Sequence, residues 1–152
     1  MNFFCTDLFK KEYEKLIKKN SYNDLESILS TLFSKTLYTE VISIRGSSLY
    51  GPEHLAFYKK RVFKPGEYRL YFVGDTEEKK IYCSFLHLKR GTLGYENINI
   101  NHQKKIHIDT MNLRKGELPK MYRILVKENK LEFLPISKKE ILEKNKIYYN
   151  KK

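Results

Sequence analysis

An α+β domain is predicted from three observations. Two amphipathic helical segments lie near the start of the chain, four runs of alternating β-type residues follow them, and short turn-forming sequences separate the runs. The expected architecture is a two-helix hairpin packed on one face of a four-stranded, mostly antiparallel sheet, with a basic C-terminal extension. Residues 1–100 form the main domain in this reading, and residues 101–152 an extension belonging to the same compact unit.

The first helix is expected over residues 7–19, where Leu8, Phe9, Tyr13, Leu16 and Ile17 recur at three- and four-residue steps behind a Thr6 N-cap. Asn20-Ser21 interrupts the pattern. The capping-box spacing from Ser21 to Asp24 then opens a second helix at about 22–34, with Leu25, Ile28, Leu29, Leu32 and Phe33 as its stripe. Strands are expected at 40–45, 55–63, 67–74 and 79–88. Gly46-Ser47-Ser48 and Gly51-Pro52 read as turns, and Lys64-Pro65-Gly66 and Asp75-Thr76-Glu77-Glu78 as short hairpin connections. Residues 101–118 have mixed periodicity and no assigned element. Beyond them, 121–126 and 130–134 form a hairpin across Lys127-Glu128-Asn129, and Ser137 to Glu140 is a capping box opening a helix at about 137–146.

The chain has 152 residues, with 30 Lys and Arg against 18 Asp and Glu, a formal charge of +12. Residues 1–30 are balanced, with five basic and five acidic side chains, whereas residues 101–152 carry fourteen basic and six acidic ones. A polyanion partner fits this one-sided field, and the extension is expected to add contacts to RNA; covering the site or docking a partner is the competing role. No apolar run spans a bilayer and the start has no signal-peptide pattern, so a cytoplasmic protein without a membrane partner is expected. Cys5 and Cys83 have no CxxC or Cys/His spacing and read as reduced packing residues. His54, His87, His102 and His107 lack metal-ligand spacing with carboxylates, and the common nucleotide, esterase and metalloprotease motifs are absent, so neither a metal nor another cofactor is expected.

What remains is a basic and aromatic constellation within the strands. Alternation places Phe57, Lys59, Arg61 and Phe63 on one face of their strand, and Tyr58, Lys60 and Val62 on the other. Arg69, Tyr71 and Val73 likewise share a face opposite the more apolar Tyr68, Leu70 and Phe72, while Ile81, Cys83, Phe85 and His87 alternate with Tyr82, Ser84, Leu86 and Leu88. Unpaired cations are expensive to bury under a helical pair, so Lys59, Arg61 and Arg69 are expected on an uncovered sheet face. With His87, Lys89, Arg90 and Tyr95 at its border, that face combines charge for phosphates with aromatic planes for bases.

The stretch FYKKRVFKPGEYRLYFVG, the strand IYCSFLHLKRG and the ending GTLGYENI resemble the RelE/ParE superfamily of bacterial toxins over roughly residues 5–100. The family's Gly-Tyr-Arg element is similar to Gly66-Glu67-Tyr68-Arg69, with one residue inserted, and its helical pair is similar to the segment around Ser21–Glu26. This resemblance implies the toxin of a toxin–antitoxin pair, a metal-independent endoribonuclease cutting messenger RNA, on the ribosome, and held in check by an acidic antitoxin. It implies Lys59 or His87 as general base, Arg61 and Arg69 as phosphate stabilisers, and Arg90 or Tyr95 as acid or base-stacking group, with Lys60, Tyr71 and Lys89 as RNA-binding residues. Lys60 also reads as a snorkelling side chain on the helix-facing side. Two other readings are a ParE-like DNA gyrase inhibitor without catalysis and a basic RNA-binding module without activity.

Overall fold

The computed structural model describes residues 2–18, 25–35, 46–50, 55–62, 68–88 and 99–143, with 46–50, 61, 62 and 88 as backbone. Seven strands and four helices lie among the described residues. They are β1 (Asn2–Thr6), α1 (Asp7–Ile17), α2 (Leu25–Phe33), β2 (Gly46–Tyr50), β3 (Phe57–Val62), β4 (Tyr68–Asp75), β5 (Lys80–Leu88), α3 (Ile100–Arg114), β6 (Met121–Lys127), β7 (Lys130–Pro135) and α4 (Lys138–Leu142). The α+β class is as the sequence predicts. The sheet is larger: its seven strands run in the order β2-β3-β4-β5-β1-β6-β7. It is also mixed, because β1 pairs parallel to β5 while β1–β6 and the other neighbouring pairs are antiparallel.

Each face of the sheet has its own apolar cluster. On one, Phe9, Tyr13 and Leu16 of α1 and Leu25, Leu29 and Phe33 of α2 cover Leu70, Phe72, Ile81, Cys83 and Ile124. Thr6 caps α1 as expected, its hydroxyl accepting from the Phe9 N–H at 3.2 Å. Helix α1 packs over β1 and β5, whereas α2 packs over β6 and β7. The expected four strands therefore do not suffice for the helical pair, and the C-terminal hairpin completes the surface beneath α2. That hairpin turns through Glu128 and Asn129, both at positive φ (53° and 61°), the geometry of a two-residue type I′ connection.

The opposite face is covered as well, which corrects the expectation that it is free. Ile106 and Leu113 of α3 and Ile141 of α4 pack on Phe4, Phe57, Tyr71, Tyr82 and Phe85. The unassigned segment 101–118 is thus the helix that closes this face. Asn99 caps it by accepting from the His102 N–H at 2.8 Å, and a Schellman motif ends it, with Gly116 N–H donating to Leu113 O at 3.0 Å and Glu117 N–H to Asn112 O at 2.9 Å. The capping box at Ser137 is present and opens α4, a shorter helix than expected.

Two buried charges tie these C-terminal elements to the β4–β5 hairpin. The Lys80 ammonium, 2 % exposed, donates to Ile141 O at 2.9 Å and Glu143 O at 2.8 Å and pairs with Glu78 at 3.4 Å, so a strand lysine caps the carbonyl end of α4. Asp75 accepts from the N–H groups of Glu77 and Glu78, both at 3.0 Å, and faces Arg114 of α3 at 3.5 Å.

Two smaller expectations change. Residues 46–48, read as a turn, belong to edge strand β2, where main-chain pairing with β3 replaces side-chain pattern as the organising force. Strand β1 was not expected at all, since residues buried on both faces show no alternation. The expected strand at 40–45, the capping box from Ser21 to Asp24, the turns at Gly51-Pro52 and Lys64-Pro65-Gly66, and the end from 144 lie outside the described residues.

Candidate functional site

Pairing register brings three of the expected site positions into one row. Arg61 of β3 lies opposite Arg69 of β4, which lies opposite His87 of β5. The neighbouring row is Lys59, Tyr71 and Phe85. Residues directly opposite in a ladder share a face, with Cβ atoms about 4.5–5.5 Å apart, so these six positions form one patch.

His87 joins that patch because of a bulge. Between β4 and β5 the register steps from Tyr71↔Phe85 to Phe72↔Cys83, leaving Ser84 unpaired. Strict alternation puts Ile81, Cys83, Phe85 and His87 on one face; the extra residue separates them. Cys83 and Ile81 stay under α1 and α2, and Phe85 moves to the α3 side. The bulge is held at both ends, for the Thr6 hydroxyl donates to Ser84 O at 3.1 Å and the Ser84 hydroxyl donates to Tyr71 O at 3.3 Å.

Four members of the patch, Arg69, Tyr71, Phe85 and His87, are buried. Arg69 is 3 % exposed, His87 4 % and Tyr71 1 %, and Lys59 is half-buried at the β3 side. The His87 ring stacks on Tyr71 at 5.7 Å and lies 5.5 Å from Phe85, which also meets His102 of α3 at 5.2 Å. His107, one and a half turns along α3, lies 4.9 Å from Phe57, and burial pushes its imidazole below the ordinary 6.5. Burial likewise pushes the Tyr71 hydroxyl up to about 12, the Arg69 charge opposing it. The Arg69 guanidinium donates to Tyr68 O at 3.3 Å.

These positions correct two expectations. Arg69 does not line an open sheet face: it is buried on the side where α3 packs on Tyr71 and Phe85, a cover that the strand pattern alone leaves out, while Lys59 is half-buried and the Arg61 side chain lies outside what is described. Tyr71, expected as a stacking platform for a base, is enclosed by Phe57, Phe85 and His87 and offers no open ring face. Lys60 pairs opposite Leu70 and therefore points to the α1/α2 side, away from the row, where burial lowers its amine. Lys89, Arg90 and Tyr95 lie outside the described residues. His102 and His107 were considered only as metal ligands in the sequence, and their helical setting within an unassigned segment gave no sign that they pack on the site.

Cys5 and Cys83 are unbridged, buried, and opposite one another across β1 and β5. Burial pushes both thiols up, with the adjoining Cys83 acting in the same direction on Cys5, so neither has the character of a nucleophile. Among the described residues no group of three or more His, Cys, Asp or Glu is gathered to hold a metal, and no helix is long and apolar enough to cross a membrane. Compared with protein-family models, curated proteins and solved structures, the chain matches none.

Proposed function

We propose that the chain is an endoribonuclease acting on messenger RNA without a metal ion, the toxin of a toxin–antitoxin pair. The observation that carries this reading is the row Arg61–Arg69–His87 in register across β3, β4 and β5. Two arginines and a histidine at adjacent ladder positions bring together the charge-assisted donors and the proton acceptor that an anionic ligand calls for. A scissile phosphate is such a ligand. Lys59 or His87 takes the ribose 2′-hydroxyl proton, the 2′-oxygen bonds to phosphorus, and Arg61 and Arg69 balance the charge gathering on the phosphoryl oxygens. The bond to the 5′-oxygen then breaks, with Arg90 or Tyr95 as the proton donor the family resemblance supplies. RNA reaches the row along the β3 flank of α3, where Lys59 is only half-buried, rather than through the helix.

One observation favours a second reading, an RNA-binding module without cleavage: the near-complete burial of Arg69 and His87 suits a structural role. Primer extension on messenger RNA from a translating extract separates the two. The first reading expects discrete cuts with wild-type protein, and none with an Arg69→Gln variant of unchanged circular dichroism. Absence of cuts with wild-type protein that still binds RNA establishes the second.

A further inference from the structure

Helix α3 has two faces of different character. Ile106, Thr110 and Leu113 are buried against the sheet. At 100° per residue, Asn101, Lys104, Lys105, Ile108, Asn112 and Lys115 fall within one arc of about 100° on the far side. All but half-buried Asn112 are exposed, Ile108 at 59 %. The arc holds three lysines, two amides and no carboxylate.

Helix α1 shows what a merely solvated lysine face looks like in this protein. Its Lys10 pairs with Glu14 at 3.2 Å, Lys11 with Asp7 at 3.0 Å and Lys15 with Glu12 at 3.9 Å, so its charge is cancelled on its own surface. Lys104, Lys105 and Lys115 have no carboxylate within ion-pair distance among the described residues. Lysine abundance alone does not explain why one helix neutralises itself and the other does not. The extension's excess of basic residues is thus concentrated, in part, on one straight surface roughly 17 Å long from Lys104 to Lys115.

We propose that this outer face of α3 is a docking surface for the phosphate backbone of RNA, distinct from the row beneath the helix; as to RNA rather than another polyanion, it rests on the functional reading above. Lysine is depleted and aromatic residues are enriched where proteins meet proteins, and this face shows the reverse. Lysines and amides on a rigid helix contact phosphate and sugar oxygens without reading bases. The surface therefore supplies affinity and position, not sequence preference.

The test is fluorescence anisotropy with a 2′-O-methyl RNA hairpin, which resists cleavage, and the variant Lys104→Gln/Lys105→Gln/Lys115→Gln. Every substituted side chain is exposed, so the melting temperature stays that of wild type. Each phosphate contact adds about 0.7–0.9 to the salt slope, so the variant's slope is smaller by roughly 2 to 3; from 50 to 200 mM salt, wild type loses roughly 20- to 40-fold more affinity than the variant. Equal slopes overturn the proposal. A DNA hairpin of the same sequence bound as tightly as the RNA overturns the RNA assignment, and displacement of the RNA hairpin by polyglutamate at equal charge reassigns the face to an acidic protein. Cuts by wild type with equal slopes refute the docking face and leave the cleavage reading intact; lysine-dependent binding without cuts does the opposite.

Discussion

Gly116→Ala tests how α4 is seated. Gly116 ends α3 at φ 71°, and a Cβ built there meets Lys138 Cγ at 2.8 Å, Lys138 Cα at 2.9 Å and Ile141 Cγ2 at 3.0 Å. Two penalties therefore act together. The left-handed backbone costs a side-chain-bearing residue about 1–2 kcal/mol, and forcing a methyl against backbone and a buried isoleucine costs about 1–3 kcal/mol. The stiffer unfolded chain returns about 0.4–1 kcal/mol, leaving a net loss of about 2–4 kcal/mol. In a chain of this size that lowers the melting temperature by roughly 5–15 °C. The protein has no Trp, so urea and thermal unfolding are followed by far-UV circular dichroism. A Gly116→Ala protein within 0.5 kcal/mol of wild type refutes the close approach of α4 to this turn.

Thr6→Val removes both the cap on α1 and the hydroxyl that donates to Ser84 O, so a loss of about 2–3 kcal/mol in urea unfolding is expected. Glu128→Asn places a residue suited to positive φ in the β6–β7 turn and raises stability by about 0.5–1 kcal/mol in the same assay; a loss contradicts the type I′ geometry. His107 has a folded pKa below its unfolded value near 6.5, so the unfolded state binds more protons between the two. Stability accordingly rises with pH through that window, is complete above 6.5, and declines as pH falls towards the folded value. Part of the wild-type decline between pH 7 and pH 5 is missing in His107→Gln, and a steeper decline in the variant contradicts the sign.

The elements legible in the sequence are those whose pattern carries its own period. Helix α1 shows its stripe and cap, strands β3, β4 and β5 alternate, and β6 and β7 flank a recognisable turn. The face division within β4, with Tyr68, Leu70 and Phe72 against Arg69, Tyr71 and Val73, is as alternation predicts. Helix α3 was illegible because its buried side is made from Ile106, Thr110 and Leu113 together with histidines, too few apolar residues to show a stripe. The side of the sheet expected to be open is instead the one on which α3 packs, with Arg69 and His87 buried there. The bulge at Ser84 was hidden for a different reason: it depends on Thr6 and on the Tyr71 carbonyl, partners far away in sequence or in the main chain. Of the candidate site, the common face of Lys59, Arg61 and Arg69 could be read from strand pattern, whereas the alignment of His87 with them depends on the bulge and the burial of Arg69 and His87 on the tertiary fold.

Strand β1 is the second residue onward of the chain, yet its two neighbours are β5 and β6. Its slot between them is not complete until Met121 and its followers have been made, after about 120 residues of synthesis, or roughly 6–24 s at typical elongation rates. Phe3, Phe4 and Cys5, all buried in the finished protein, have no strand to pair with until β5 is made, and only one neighbour from then until β6. The sheet's centre is thus built last from its earliest and latest parts, a high-contact-order closure that is intrinsically slow. A nascent chain stalled before α3 carries the basic row of β3, β4 and β5 without its roof, so the order of synthesis makes that row first and its cover afterwards.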